Sequence, residues 1–174
     1  DFADLNRIAV TCGPGTFTGV RAGIAAARGL ALGCGAPVIA ATTLEVMALG
    51  CLARLEAEAC RDGFLVAHDA RRGELYVQLF DAAAHALTEP ALATPDEAAL
   101  LAASCKLVAG SGSTVIGAAS VGGELRAVLP DLLPDAAHLA RLALRREPLD
   151  KPASPLYLRA PDAKPQMDKH LARI

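Results

Sequence analysis

The chain has 174 residues and 53% hydrophobic content, enough for one core or two small ones, as expected of a soluble, globular protein. Seventeen basic against nineteen acidic side chains give a formal charge of −2, which argues against a protein whose affinity comes mainly from neutralising phosphates, so any role on RNA is shared with a partner. Tryptophan is absent and aromatics are 3%, leaving few platforms for stacked bases, while five cysteines without a C-x-x-C pair indicate neither a zinc site nor a complete disulfide framework and suit a reducing cytoplasm.

A β-branched run predicts a strand over Arg7 to Thr11, broken by Pro14 and Gly15. A helix follows from Thr18 to Leu32, with Thr16 or Thr18 as its cap. A second strand over Pro37 to Ala41 and a helix over Leu44 to Cys60 complete an alternation that implies parallel strands with crossover helices. The polar break Cys60-Arg61-Asp62-Gly63 divides the chain into units 1–60 and 61–174. Phe64 to His68 and Glu74 to Asp81 flank the turn Arg71 to Gly73 and read as a hairpin, with a third strand near Ala86 to Leu92. Pro95-Asp96-Glu97 opens a helix through Ser104, Lys106 to Ala109 is a buried strand ending in the turn Gly110-Ser111-Gly112-Ser113, and Pro134 to Arg146 is helical. The result is an α/β fold in two small units. Ala160 to Ile174, rich in proline and charge, reads as a frayed terminus or docking tail. No apolar run is long enough to span a bilayer.

On a helical wheel Gly19, Ala22, Gly23, Ala26 and Gly29 share one side, which lets another backbone approach closely. Each interior glycine costs about 1 kcal/mol relative to alanine, so something compensates: packing inside the chain, or a helix of another chain. The loop before this helix is neither a P-loop, since Val20 follows Gly19 where lysine is needed, nor a dinucleotide fingerprint, since Thr18 stands at the sixth position. Gly13, Pro14, Gly15 and Thr18, with Arg21 one turn in, leave a structural turn or a generic anion site. Asp69 and Glu74, flanking Arg71 in the hairpin turn, are the plausible cleft residues for a nucleotide's metal, though solvated turn residues are the plainer reading. His68, His85, His138 and His170 are scattered without metalloprotease spacing. Ser111 and Ser113 lie between glycines, but the turn is not G-x-S-x-G and no His or Asp partner can be placed beside it. Cys12 reads as a buried strand-end thiol, and Arg71-Arg72 and Arg141, Arg145 and Arg146 as solvated clusters. No catalytic residue and no metal ligand is assigned.

Gly13-Pro14-Gly15-Thr16-Phe17-Thr18-Gly19-Val20-Arg21-Ala22-Gly23 resembles the signature of the TsaB (YeaZ) family, relatives of the glycoprotease family. The resemblance extends through Ala36-Pro37-Val38, Thr43-Leu44-Glu45, Asp69 to Tyr76 and Pro155-Leu156-Tyr157-Leu158-Arg159, in order. The family pattern carries several tens of residues ahead of this match, with an Asp-Thr-Ser hairpin and a first helix, and nothing here corresponds. The first-domain sheet is therefore expected to be short of strands, and these residues alone to expose an apolar sheet edge.

The resemblance implies the actin, sugar kinase and Hsp70 (ASKHA) architecture and a non-catalytic, cytoplasmic subunit of the machinery that makes threonylcarbamoyladenosine next to the tRNA anticodon. It implies a TsaD-type catalytic partner, a TsaE-type ATPase in the assembly, a homodimer when alone, tRNA contact only through the complex, and no cofactor. Carried over by position, Gly19, Ala22, Gly23, Ala26 and Gly29 meet the partner helix, and Gly13 to Gly15 set its angle. The alternatives are a nucleotide-dependent enzyme of the same fold and a glycoprotease-type metallopeptidase.

Overall fold

The computed structural model describes residues 1–120, 125–148 and 151–160. The chain begins with a short 3-10 turn, Phe2–Asp4, followed by β1 (Ile8–Thr11), α1 (Phe17–Cys34), β2 (Val38–Ala41) and α2 (Thr43–Arg54). A 3-10 turn, Ala57–Cys60, leads to β3 (Phe64–Asp69), β4 (Leu75–Phe80), β5 (Ala91–Ala93) and α3 (Pro95–Ala102). Then come β6 (Leu107–Ala109), α4 (Ser113–Ala119), β7 (Arg126–Val128) and α5 (Ala136–Arg145).

Local chemistry explains most boundaries. Thr16 caps α1 by accepting from the Gly19 amide at 3.3 Å, and Gly35, at φ 71°, stops it in a conformation glycine adopts without penalty. Thr42 with Glu45, and Thr94 with Glu97, form capping boxes at α2 and α3. The expected helix over Leu44 to Cys60 ends earlier, at Arg54: Leu55 and Glu56 turn extended, and a separate 3-10 turn follows. Of residues 57–60 only Cys60 is buried, and that turn holds it in the core. The third strand pairs at Ala91–Ala93, with only an isolated bridge from Phe80 to Ala86. Neither α4 nor β7 was visible in the sequence pattern. Each is short, and α4 starts without a side-chain cap.

β1 and β2 pair in parallel, Ile8 opposite Val38 through Thr11 opposite Ala41. The second sheet has the order β5-β4-β3-β6-β7, with β3 antiparallel to β4 and parallel to β6, and β6 parallel to β7. β3 is its central strand, and Phe64 to Ala67 are buried without alternation, as a strand covered on both faces requires. On one face Phe64, Val66, Phe80, Leu107 and Ala109 pack with Leu44, Met47, Ala48 and Cys51 of α2. On the other, Leu65, Ala67 and Val77 meet Ala98 and Ala102 of α3 and Ile116 of α4. Fully burying a phenylalanine such as Phe64 or Phe80, whose rings stack at 5.8 Å, stabilises the fold by about 2–3 kcal/mol.

The two-stranded sheet has a lighter core: Ile8 and Val10 against Ile24, Ala27 and Ala31 of α1, closed by Ala36 and Ala153. α5 packs against β1 and β2. Its C-terminal carbonyls of Ala143 and Arg146 accept from the Arg7 guanidinium at 3.0 and 2.6 Å. Arg146 itself is no solvated helix end. It donates to the Ala40 carbonyl at 2.9 Å and pairs with the half-buried Glu45. α2, which lies in the unit 1–60 read from the sequence, thus joins the larger core through its apolar side and the smaller sheet through Glu45.

Candidate functional site

Two places concentrate features that the core does not explain: the outer side of α1, and the carboxyl ends of β3 and β6.

α1 turns Ile24, Ala27 and Ala31 into the core. Gly19, Ala22, Gly23, Ala26 and Gly29 all lie exposed, with Leu30 beside them at 43% exposure. Gly19 has an intrachain reason, since a Cβ there would come within 2.7 Å of the capping Thr16 hydroxyl oxygen, but Gly23 and Gly29 have none as strong. A methyl group built on Gly29 would meet nothing within 4 Å, and one on Gly23 only the Val10 side chain at 3.8 Å. Packing inside this chain does not require glycine at either position.

The loop ahead of α1 is built tightly. Gly13 sits at φ 106°, its carbonyl accepts from the Thr43 amide at 2.8 Å, and a Cβ there would come within 3.1 Å of the Leu156 carbonyl oxygen. Gly13 and Pro14 are buried, while Gly15 and Thr18 are exposed. Arg21 turns along the helix: its guanidinium lies 3.6 Å over the Phe17 ring and donates to the Tyr157 hydroxyl. Cys12 donates to the Ala41 carbonyl at 3.2 Å, and burial raises its thiol above the ordinary value, away from thiolate chemistry.

The segment 151–160 gives the Pro155–Arg159 motif a mechanical meaning. Leu156 donates to the Cys12 carbonyl at 2.7 Å, the Arg28 side chain donates to the Ala153 carbonyl, and Arg159 reaches the Glu74 carboxylate and the Arg71 carbonyl. This strap ties the α1 loop to the β3–β4 hairpin. Glu74 is thereby engaged as its anchor. Asp69 accepts from the Arg71 amide at 2.8 Å and braces the turn, in which Arg71 and Arg72 both adopt positive φ.

At the carboxyl ends of β3 and β6 the sequence reading needs correction. Ser111 does have a histidine beside it: its Oγ lies 3.2 Å from His68 Nδ1 and accepts from the Asp69 amide at 2.9 Å. The two residues are 43 positions apart in the chain, and only the parallel pairing of β3 with β6 brings them together. Burial lowers the His68 pKa, the Asp69 carboxylate opposes that, and Arg71 lowers it further, so the ring is neutral at pH 7. His85 pairs with Asp81 and His138 faces Arg141. Among the described residues no three His, Cys, Asp or Glu side chains converge as metal ligands. His170 and the proposed docking tail, Pro161 to Ile174, lie outside the described residues. No helix among the described residues is long and apolar enough to cross a membrane.

Comparison with known proteins agrees with this architecture. A family model described as TsaD, tRNA N6-adenosine threonylcarbamoyltransferase, matches residues 1–117, and the chain belongs to that family. Within it the chain is a homologue of the TsaB (YeaZ) proteins. It is 48% identical over 73 residues to the tRNA threonylcarbamoyladenosine biosynthesis protein TsaB of Escherichia coli (strain K12), a match spanning 42% of this chain and 30% of that protein. An uncharacterized protein of Mycobacterium tuberculosis (strain ATCC 25618 / H37Rv) is 35% identical over 179 residues, covering 94% of this chain and 68% of its own length. A Pseudomonas aeruginosa crystal structure described as similar to peptidase YEAZ superposes with a TM-score of 0.75 at 27% identity, over 91% of this chain and 76% of that one. The likeness to YeaZ structures places the chain in the ASKHA class of fold.

Proposed function

We propose that this chain is a supporting subunit of the machinery that makes N6-threonylcarbamoyladenosine in tRNA, and that it does not itself carry out the transfer. In this reading it binds a TsaD-type catalytic subunit, a TsaE-type ATPase joins the assembly, and tRNA is met only through the complex. When alone the chain pairs with a second copy. The observation that carries the reading is the exposed small side of α1, Gly19, Ala22, Gly23, Ala26 and Gly29. Such a surface lets a second helix approach to short interaxial distance, and at Gly29 a Cβ would meet no atom of the described chain within 4 Å. The tight Gly13 to Gly15 turn, held by Thr43 and Leu156, would fix the angle at which the helix is presented.

The test is co-expression of the full-length protein with the catalytic subunit of its own organism, with complex mass read by light scattering. A stable complex that restores modification activity to the partner supports the reading. Gly23→Leu should then weaken the complex at least about tenfold while leaving the monomer's melting temperature within a few degrees, because the added side chain projects outward. No complex, together with stabilisation of this chain by ATP and magnesium, would move the assignment to a nucleotide-dependent enzyme of the same fold.

A further inference from the structure

β3 and β6 are parallel neighbours whose chains leave in opposite directions: β3 turns through the hairpin to β4 on one side, and β6 passes through α4 to β7 on the other. Their carboxyl ends thus lie side by side at the point where the two connections diverge. The side chains that meet across it are His68, from β3, and Ser111, from the loop after β6.

Three details organise this pair. Gly110 and Gly112 let the loop lie directly on β3, since a Cβ on Gly110 would fall 2.3 Å from the Ala67 carbonyl oxygen and one on Gly112 2.8 Å from the Leu75 side chain. The Gly112 amide donates to that same Ala67 carbonyl at 3.1 Å, which fixes Ser111 opposite His68. The Ser111 hydroxyl accepts from the Asp69 amide at 2.9 Å, which holds its Oγ 3.2 Å from His68 Nδ1, and in the Nε2–H tautomer of the neutral ring Nδ1 is the acceptor for the hydroxyl proton. Both side chains are half-buried and reachable from solvent.

We propose that Ser111 and His68 form a nucleophile and general-base dyad that takes an acyl group from an activated carboxylic ester. Ser111 Oγ forms a bond to the acyl carbon while its proton passes to His68 Nδ1. The ester C–O bond breaks, and the leaving alcohol departs with that proton. Water then attacks the acyl-serine, His68 takes its proton, and Ser111 is regenerated as the carboxylic acid is released. The inference goes beyond the supporting role proposed above and does not depend on it.

A fluorophosphonate probe tests the dyad directly, because it forms the Oγ–P bond with loss of fluoride and needs no knowledge of the natural ester. The full-length protein is incubated with the probe, and the adduct is located by tandem mass spectrometry, with the exposed Ser154 as an internal reference. The expected result is modification of Ser111 about a hundredfold faster than Ser154, the factor a positioned base supplies. His68→Gln, which keeps a hydrogen-bonding side chain but no base, should bring Ser111 down to the Ser154 rate with an unchanged circular dichroism spectrum. p-Nitrophenyl acetate should leave an acetyl group on Ser111. Absence of an adduct at Ser111, a rate equal to that of Ser154, or an unchanged rate in His68→Gln would each overturn the proposal.

Discussion

α1 and α2 each follow a short parallel strand, and each begins at a threonine cap, but the chain uses them differently. α1 is 18 residues long and buries three of them, whereas α2 is 12 long and buries seven. α2 lies on the five-stranded sheet beneath two stacked phenylalanines, while α1 covers only the Ile8 and Val10 side of a two-stranded sheet and leaves Gly19, Ala22, Gly23, Ala26 and Gly29 outside. A helix that buries most of its surface at home is a core element. One that keeps a small-residue side outside fits the partner role proposed above, and its Gly29 costs stability without packing return in the isolated chain.

The contrast can be broken most severely in the α2 core. Phe64→Ala should cost about 4 kcal/mol in denaturant unfolding, since it empties a fully buried site between α2 and Phe80. A cost below about 1 kcal/mol would mean that this core is not the one that holds the chain together.

Gly110→Ala comes next. At φ 106°, with the Ala67 carbonyl oxygen 2.3 Å from the added carbon, it should destabilise by about 3 kcal/mol, measured as a loss in melting temperature. The change should also separate His68 from Ser111.

Glu45 links the two regions, and its removal sharpens the comparison through pH. Burial alone would raise its pKa, yet the Arg146 guanidinium and the Thr42 amide and hydroxyl hold the carboxyl below its ordinary value of 4.5. A lowered folded value means the stabilisation is complete above the unfolded value and is lost as pH falls through the folded one. Glu45→Gln should therefore cost about 2 kcal/mol at pH 7, and the gap to the wild type should close in acid, below pH 4.5. A gap that stays constant from pH 7 to pH 3 would show that the pair is not the origin.

The smallest effect has the opposite sign. Gly29→Ala meets no atom within 4 Å and should stabilise the isolated chain by about 0.7 kcal/mol. The same change should weaken binding of the catalytic partner, so stability and assembly move in opposite directions only on α1.

Particular residues show how far the sequence reaches. The strand, glycine-rich turn and helix at the start, the helix opening at Pro95-Asp96-Glu97, the hairpin around Arg71 to Gly73 and the small stripe of α1 were all legible, because each is set by neighbours within a few positions. The end of α2 at Arg54 was not, since Ala57-Glu58-Ala59-Cys60 suits a helix by composition while in the fold it forms a separate 3-10 turn that buries Cys60. β7 and α4 escaped because three strand residues and one short helix carry too little periodicity to announce themselves.

Local chemistry in the sequence thus determined most of the helices and strands, though not α4 or β7, and that one helix keeps a stripe without bulk. Only the tertiary structure decided which side of that helix faces out, that Pro155 to Arg159 straps the first loop to the hairpin, and that Ser111 meets His68. Those facts depend on pairings between residues tens of positions apart. Sheet order and register fix such pairings, and spacing along the chain does not encode them.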